Sequence, residues 1–220
     1  MKCVRLWYKK SGLAVFTSHL DMNRCFTRAV RRADIPLWYT EGFNPHPYMT
    51  FLLPLPLGTA GEREPIDIRL TDDISNGEIK ARLNAALPDG LSITDVAEPK
   101  DKADKIASAL YEISLELAGE EEAEAFAKKA DEIVSSGELN AEKKSKKGIK
   151  AVNLCEMILR FEAAANGKTV GISAVLASGN SSNLAAALLI DSLEKKSEIE
   201  IQKTRITRKE IYKENFEPFE

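Results

Sequence analysis

The sequence predicts an α+β protein made of two similar halves, each with two helices on an antiparallel sheet. At 220 residues the chain is long enough for two domains of about 100 to 120 residues. Strand and helix patterns follow the order β-α-β-β-α-β in each half. Between the halves, residues 99–108 are charged, small and aperiodic, which is typical of a linker. This order predicts two tandem ferredoxin-like (βαββαβ) sandwich units, in domains 1–100 and 108–220.

The elements of the first half follow from short local patterns. A strand is predicted at 2–9, and Ser18 with Asp21 three residues later predicts the start of a helix. That helix is expected to run to about Ala33, where Asp34-Ile35-Pro36 stops it. Two extended segments, a second helix and a closing strand are predicted to follow, at 47–57, 65–71, Ser75 to Pro88 and 91–98.

The second half repeats the same order of patterns. Apolar residues alternate with polar ones from Tyr111 to Leu117, which predicts a half-buried strand. Asn166-Gly167 between two extended runs, 156–165 and 168–177, predicts a hairpin. Two helices and a final strand complete the half, and they are predicted at 120–135, 181–196 and 198–212.

Composition limits the classes of function. No run of about 18 or more apolar residues is present, so no transmembrane helix is predicted, and no secretory signal pattern is found. The three cysteines match neither a disulfide scaffold nor a metal-ligand pattern. We therefore expect a cytoplasmic protein without a metal site of its own.

The charges are segregated along the chain. Residues 1–60 contain eight Lys/Arg against three Asp/Glu, residues 61–139 nine against twenty, and residues 140–220 fourteen against eleven. Such asymmetry suggests a polyanionic partner for the basic parts. The net charge of −3 means that any nucleic-acid site must be local.

Four arginines share one side of the first predicted helix. At 100° per residue, Arg24, Arg28, Arg31 and Arg32 fall in one narrow sector opposite the apolar residues. The planar guanidinium suits phosphate or carboxylate, and Asp21 can orient Arg24 one turn along. The sector predicts an anion-binding surface. The alternative is a solvated helix side whose arginines pair with the acidic middle of the chain.

The segment T-E-G-F-N-P-H-P, residues 40–47, predicts a stiff, exposed loop. Gly42 permits a positive φ, and two prolines hold Asn44 and His46 extended, with their side chains on the same side. We predict that the loop presents a binding site formed by Glu41, Gly42, Phe43, Asn44 and His46. The alternative is a proline-rich turn in which His46 is a hydrogen-bonded spacer. Nearby aromatic residues could stack bases or pack in a core: Trp38, Tyr39, Phe43 and Tyr48.

His19 lies in the first turn of the arginine-bearing helix, where free N–H groups favour an anion or a neutral imidazole. His19 and His46 are therefore candidate catalytic residues, as acid and base. With Asp21 and Glu41 they also contain the ingredients of a two-His, one-carboxylate metal set. His-x-Asp is a weak pattern, and we predict no metal site.

A second basic feature lies in the other half. In E-K-K-S-K-K-G-I-K, residues 142–150, an extended chain would project lysines to both sides. With basic residues of the last strand these could form a groove that follows a nucleic-acid backbone. The alternative is a protected edge strand. The binding residues predicted here are Lys144, Lys146, Lys147, Lys150, Lys203 and Arg205.

Several motifs together resemble a known family. S-H-L-D-M-N-R (18–24), R-A-V-R-R-A-D-I-P (28–36), E-G-F-N-P-H-P (41–47), P-L-P-L-G (54–58) and L-P-D-G-L (87–91) resemble the radical-SAM-associated family DUF2344. The match covers the first hundred residues in order, and G-I-K (148–150) is similar to a weaker C-terminal pattern. The chain departs from the family pattern at Glu41, where a smaller polar residue is usual.

The resemblance implies a partner and a setting. Members of the family are typically encoded beside, or fused to, a radical SAM protein and often lie near genes for RNA processing. The resemblance therefore implies a radical SAM partner that holds the iron–sulfur cluster and SAM, with no cofactor in this chain. It implies no particular reaction.

Three functions remain open on the sequence. The first is an RNA-binding or substrate-presenting accessory protein of a radical SAM enzyme, with phosphates on the arginines. The second is an RNA-processing or RNA-modifying enzyme that uses His19 and His46 as acid and base. The third is a protein-interaction module that does not bind RNA.

Overall fold

A computed structural model describes residues 2–145, 148–179 and 182–220, and it confirms the α+β class. Within these ranges the chain forms four α-helices and ten β-strands. The chain divides into two compact units, one of Met1–Lys105 with Phe219–Glu220 and the other of Ile106–Pro218. In the described part of the chain, no helix is long and apolar enough to cross a membrane.

The first unit combines an antiparallel sheet with two helices. Its strands pair in the order β4-β1-β3, and β2 pairs with β3. In the register of β1 and β3, Lys2 lies opposite Leu70 and Arg5 opposite Asp67. The elements are β1 (Lys2–Lys10), α1 (His19–Arg32), β2 (Met49–Phe51), β3 (Thr59–Leu70), α2 (Asn76–Ala86) and β4 (Leu91–Ala97).

Both helices of this unit begin where the capping patterns predict. The Ser18 hydroxyl accepts a hydrogen bond from the Asp21 N–H at 3.2 Å, and the Ser75 hydroxyl accepts one from the Glu78 N–H, also at 3.2 Å. Each bond satisfies an N–H group that has no partner within the helix. After α1, Asp34 adopts a left-handed conformation (φ +50°), which stops the helix before Pro36.

One side of the first sheet forms an apolar core with α1 and α2. Met22, Phe26 and Val30 recur at helical spacing on α1 and are at most 2% exposed. They pack in one cluster with alternate residues of β1, with Ile66, Ile68 and Leu70 of β3, and with Ile79 and Leu83 of α2. The polar side of α1, which carries the four arginines, is thereby turned to solvent.

The end of the chain is part of the first unit. Phe219 is fully buried, its ring centroid lies 6.2 Å from that of Trp7, and the Arg5 guanidinium lies 4.6 Å from the Phe219 centroid. Arg5 is itself buried and donates two hydrogen bonds to the Asp67 carboxylate, at 2.7 and 2.9 Å. Arg63 donates to the Phe219 carbonyl oxygen at 3.1 Å. Residues more than 150 positions apart therefore close this part of the core.

The second unit has a four-stranded antiparallel sheet and a separate hairpin. The sheet order is β10-β5-β9-β8, and β6 pairs only with β7 among the described residues. The elements are β5 (Ser108–Glu116), α3 (Glu120–Ser135), β6 (Asn140–Ser145), β7 (Gly148–Asn153), β8 (Ile158–Asn166), β9 (Thr169–Ala177), α4 (Ala186–Ser197) and β10 (Lys203–Tyr212).

Several predicted bounds are wrong, and two of them have a clear physical reason. The extended segment expected at 47–57 contains only the three-residue β2, because Pro54 and Pro56 cannot donate to a sheet. The last strand begins at Lys203 instead of residue 198, since Glu198 (φ +58°) ends α4 in a left-handed conformation. Helix α4 begins at Ala186, five residues later than expected, and Ser181 lies outside the described residues.

Candidate functional site

The arginine side of α1 borders a surface cavity. Arg24, Arg28 and Arg32 line this cavity of about 290 Å³ together with Asp21, Cys25 and Pro88. Pro88 follows α2, so the cavity lies between the exposed side of α1 and the end of the second helix. Three of the four predicted arginines therefore converge on one place. The fourth, Arg31, does not line this cavity.

Each of these arginines has a different environment. Arg24 forms an ion pair with Asp21 at 3.2 Å, and Arg32 donates to the Ala86 carbonyl oxygen at 2.7 Å, at the end of α2. Arg31 donates to the Tyr39 hydroxyl at 3.3 Å. Arg28 is exposed, and within the described ranges it makes no hydrogen bond or ion pair. The other three arginines each have a hydrogen-bond or ion-pair partner, whereas all the guanidinium N–H donors of Arg28 are available to a ligand.

The carboxylates near this surface are too few to neutralise it. In the part of the chain that the structure describes, Asp21 is the only carboxylate in an ion pair with any of the four arginines. The Ser18 hydroxyl, which donates to Asp21 Oδ2 at 2.7 Å, and Arg24 hold the pKa of Asp21 below its usual range. Asp21 is therefore ionised at neutral pH, and the helix side keeps an excess of positive charge.

Cys25 lies in the same cavity. Burial raises the pKa of its thiol, while the positive charges of Arg32 and Arg28 act in the opposite direction. A thiol with a raised pKa is a poor nucleophile at neutral pH. Cys25 therefore lines the cavity and is unsuited to nucleophilic catalysis.

The loop of residues 40–47 is closed by its own backbone. The Thr40 N–H donates to the His46 carbonyl oxygen at 2.9 Å, and Tyr39 and Pro47 form an isolated bridge. Below the bridge, the Tyr48 N–H donates to the Trp38 carbonyl oxygen at 2.9 Å. Six residues, 41–46, are held as an exposed tip. These bonds close the loop and agree with the predicted exposure, while the alignment of Asn44 and His46 on one side stays a prediction.

His46 is fixed by one side of its ring. Nδ1 lies 3.0 Å from Thr40 Oγ1 and 3.2 Å from the Asn44 carbonyl oxygen. Because a carbonyl oxygen can only accept, it favours the tautomer with the proton on Nδ1. In that tautomer Nε2 is an acceptor, and the residue is exposed. His46 is thus hydrogen-bonded within the loop, as the alternative of a proline-rich turn predicts. Its Nε2 atom can also accept a hydrogen bond from a ligand.

The four aromatic residues near the loop divide into two pairs. Trp38 and Tyr48 pack against each other with centroids 5.8 Å apart, and Arg69 covers both rings at 5.2 and 4.2 Å. Tyr39 is 36% exposed, and Phe43 at the tip is fully exposed beside Gly42 (φ +128°). Packing against neighbouring side chains therefore explains the first pair, which is half-buried, and not the second.

His19 lies apart from these groups. It is exposed at the start of α1, and its ring stands edge-on to Phe51 with centroids 5.3 Å apart. In the described ranges no hydrogen bond joins His19 to His46. A shared acid–base role for the two histidines stays a prediction. No group of three or more His, Cys, Asp or Glu side chains is placed to hold a metal ion among the residues described.

The C-terminal basic residues lie in two different settings. Arg205 is exposed on β10 and lines a cavity of about 520 Å³ that also contains Glu112 and Glu162, and Lys203 is exposed near the start of the strand. Lys144 and Lys150 belong to the hairpin strands β6 and β7, while Lys146 and Lys147 lie outside the described residues. The base of the hairpin borders another cavity, with α4.

Two contacts of the site had little sequence signal. Thr40 holds His46, and Tyr39 joins the loop to α1 through Arg31. Thr40 lies just before the tip and His46 at its end, and this spacing of six residues is the one pattern that could have indicated their pairing. The contact between Arg31 and Tyr39 depends on how the chain returns after Pro36, and no local pattern encodes it.

The fold and site define an α+β protein with a basic helix side joined to a constrained, aromatic-tipped loop. The chain belongs to the DUF2344 family, described as "Uncharacterized protein conserved in bacteria", which matches residues 3–186. No curated protein matches it. A solved structure described as "Crystal Structure of an Unknown Protein from Galdieria sulphuraria" is 11% identical in sequence and matches with a TM-score of 0.27. The match covers 94% of this chain and 98% of the other chain. A likeness at that score carries no inference.

Proposed function

We propose that this chain is an RNA-binding accessory protein that presents an RNA to a radical SAM enzyme. The observation that carries the RNA-binding part is the cavity with Arg28, which is exposed, positively charged and without an ion pair in the described ranges. A guanidinium with its donors available matches the oxygen atoms of a phosphate group. The ion pair of Arg24 and the hydrogen bond of Arg32 restrain the two arginines beside it, so less side-chain entropy is lost on binding.

A partner protein is supported by a second surface of the first unit. Leu13, Phe16, Leu20 and Leu57 are large apolar side chains that are each at least 60% exposed. Leu13 and Phe16 are three residues apart on a 3-10 helix and so lie side by side. The Gly58 N–H donates to the Val15 carbonyl oxygen at 2.9 Å, which brings Leu57 next to them. Exposed apolar patches of this kind are typical of protein interfaces.

The nature of the partner rests on the family motifs. We propose that the radical SAM protein holds the iron–sulfur cluster and SAM, and that both proteins act in the cytoplasm.

We also infer that each unit of this chain is a ferredoxin-like unit. This inference is supported by the strand orders β4-β1-β3-β2 and β10-β5-β9-β8, each with two helices between its strands along the chain.

RNA binding is tested by fluorescence anisotropy with a labelled RNA. Arg28→Glu should weaken binding at least tenfold, because it replaces a phosphate contact with repulsion. Lys128→Glu is the matched control, since Lys128 is an exposed cation on α3 of the second unit and the net charge changes equally. RNA that binds both variants equally, or that does not bind the wild type, would refute the proposal.

The partner surface is tested by co-purification with a co-expressed radical SAM protein of the same organism. Leu57→Asp should abolish co-purification, because it places a charge in the apolar patch. Leu159→Asp, at an exposed position on β8, should leave the complex intact. Equal recovery of partner with both variants would show that the patch is not the interface.

A further inference from the structure

We propose that the RNA segment held by this surface is single-stranded, with an unpaired base stacked on Phe43. This inference rests on the proposed RNA-binding function and names its substrate class. It comes from the aromatic residues of the loop, which the phosphate-binding argument does not use. Phe43 is fully exposed, and Tyr39 is partly so.

The arginine side of α1 is linked to the base of the loop through Arg31. Arg31 follows Arg28 by three residues on α1, which places the two side chains next to each other. Arg31 in turn donates to the Tyr39 hydroxyl at 3.3 Å, and its guanidinium lies 5.8 Å from the Tyr39 ring centroid. Tyr39 begins the loop that carries Phe43. A nucleic-acid strand on Arg28 therefore has an aromatic residue beside it.

The loop holds Phe43 outward before any ligand binds. Gly42 has φ +128°, a conformation that L-residues with a side chain rarely adopt, and it sets the direction of the chain at the tip. Two residues after Phe43, Pro45 restricts the backbone, and the Thr40–His46 hydrogen bonds close the loop. A loop whose backbone is already constrained loses less conformational entropy when a base stacks on the ring that it carries.

The geometry distinguishes single strands from duplexes. In a duplex the base faces are covered by neighbouring base pairs, so an RNA helix offers this surface only phosphates and groove edges. An unpaired base has a free face that can stack on Phe43 while a phosphate of the same strand contacts Arg28. Stacking of this kind tolerates any base, since each base has such a face. The surface is therefore expected to select for strandedness more than for sequence.

The test compares one labelled RNA without self-complementarity, alone and annealed to its complement, by fluorescence anisotropy at constant salt. The wild type should bind the single strand at least tenfold more tightly than the duplex. Phe43→Leu keeps an apolar side chain but removes the aromatic face, so it should weaken single-strand binding by about 5- to 100-fold. Phe43→Trp should restore it, and duplex binding should be the same for all three proteins.

Controls keep the outcomes distinct. Leu159→Ala removes an exposed apolar side chain from the second unit and should bind as the wild type does. Because the Phe43 side chain is fully exposed, all variants should melt at the wild-type temperature. Equal binding of single strand and duplex, or full affinity of Phe43→Leu, would overturn the stacking inference and leave the proposed RNA binding intact. A wild type that binds neither RNA would overturn both.

Discussion

Replacing Phe219 by alanine tests whether the end of the chain closes the core of the first unit. The ring is fully buried and lies against Trp7 and the Arg5 guanidinium. Truncation of a buried phenylalanine costs about 3 to 5 kcal/mol of the free energy of unfolding. It also removes a cation–π contact worth about 0.5 to 2 kcal/mol, though the two quantities overlap. We expect a loss of about 4 kcal/mol, a large part of the stability of an ordinary domain.

The assay is urea denaturation followed by tryptophan fluorescence, to which Trp7 contributes directly. Phe43→Ala is the matched control, because its ring is fully exposed and its removal should change stability by less than about 0.5 kcal/mol. Far-ultraviolet circular dichroism, which follows the loss of helix, gives an independent unfolding curve for both variants. If Phe219→Ala lost less than about 1 kcal/mol, the ring would not be packed in the core, and the reasoning from its burial would be refuted.

Three further predictions concern the first unit. Gly90→Ala should destabilise the protein by more than about 1 kcal/mol in the same urea assay, because Gly90 has φ +85° and an added Cβ would lie 2.5 Å from the Ser11 carbonyl oxygen. Measured by NMR, the pKa of the Asp21 carboxyl should lie below its usual range, and Ser18→Ala should raise it. The ionised Asp21 stabilises the fold above the unfolded-state pKa, and this stabilisation is lost as the pH falls through the lowered folded-state pKa. The Cys25 thiol, whose pKa is raised by burial, should be alkylated slowly at neutral pH and faster as the pH rises, and bound RNA should slow the reaction further.

Local chemistry explains which parts of the fold could be predicted. Ser18 and Ser75 indicate helix starts because an N-cap hydrogen bond spans only three residues, and both starts are confirmed. The arginine side of α1 follows in the same way from the helical period. The short β2 could also have been foreseen, since Pro54 and Pro56 cannot donate to a ladder.

Contacts between distant segments could not be predicted. Phe219 belongs to the first unit although the second unit precedes it in the chain, and nothing near residue 219 indicates that Trp7 and Arg5 receive it. The link between Arg31 and Tyr39 likewise depends on the path of the chain after α1. Both depend on tertiary packing, for which a single sequence has no periodic signal.

The salt dependence of RNA binding tests the central claim, that the arginines of α1 bind phosphates, most directly. Phosphate contacts release counterions, so the logarithm of the association constant should fall linearly with the logarithm of the salt concentration. For a single-stranded RNA, Arg28→Glu should bind more weakly and reduce that slope by about 0.7, the value of one lost phosphate contact, while Lys128→Glu should keep the wild-type slope. Binding without salt dependence, or one slope shared by all three proteins, would contradict the claim.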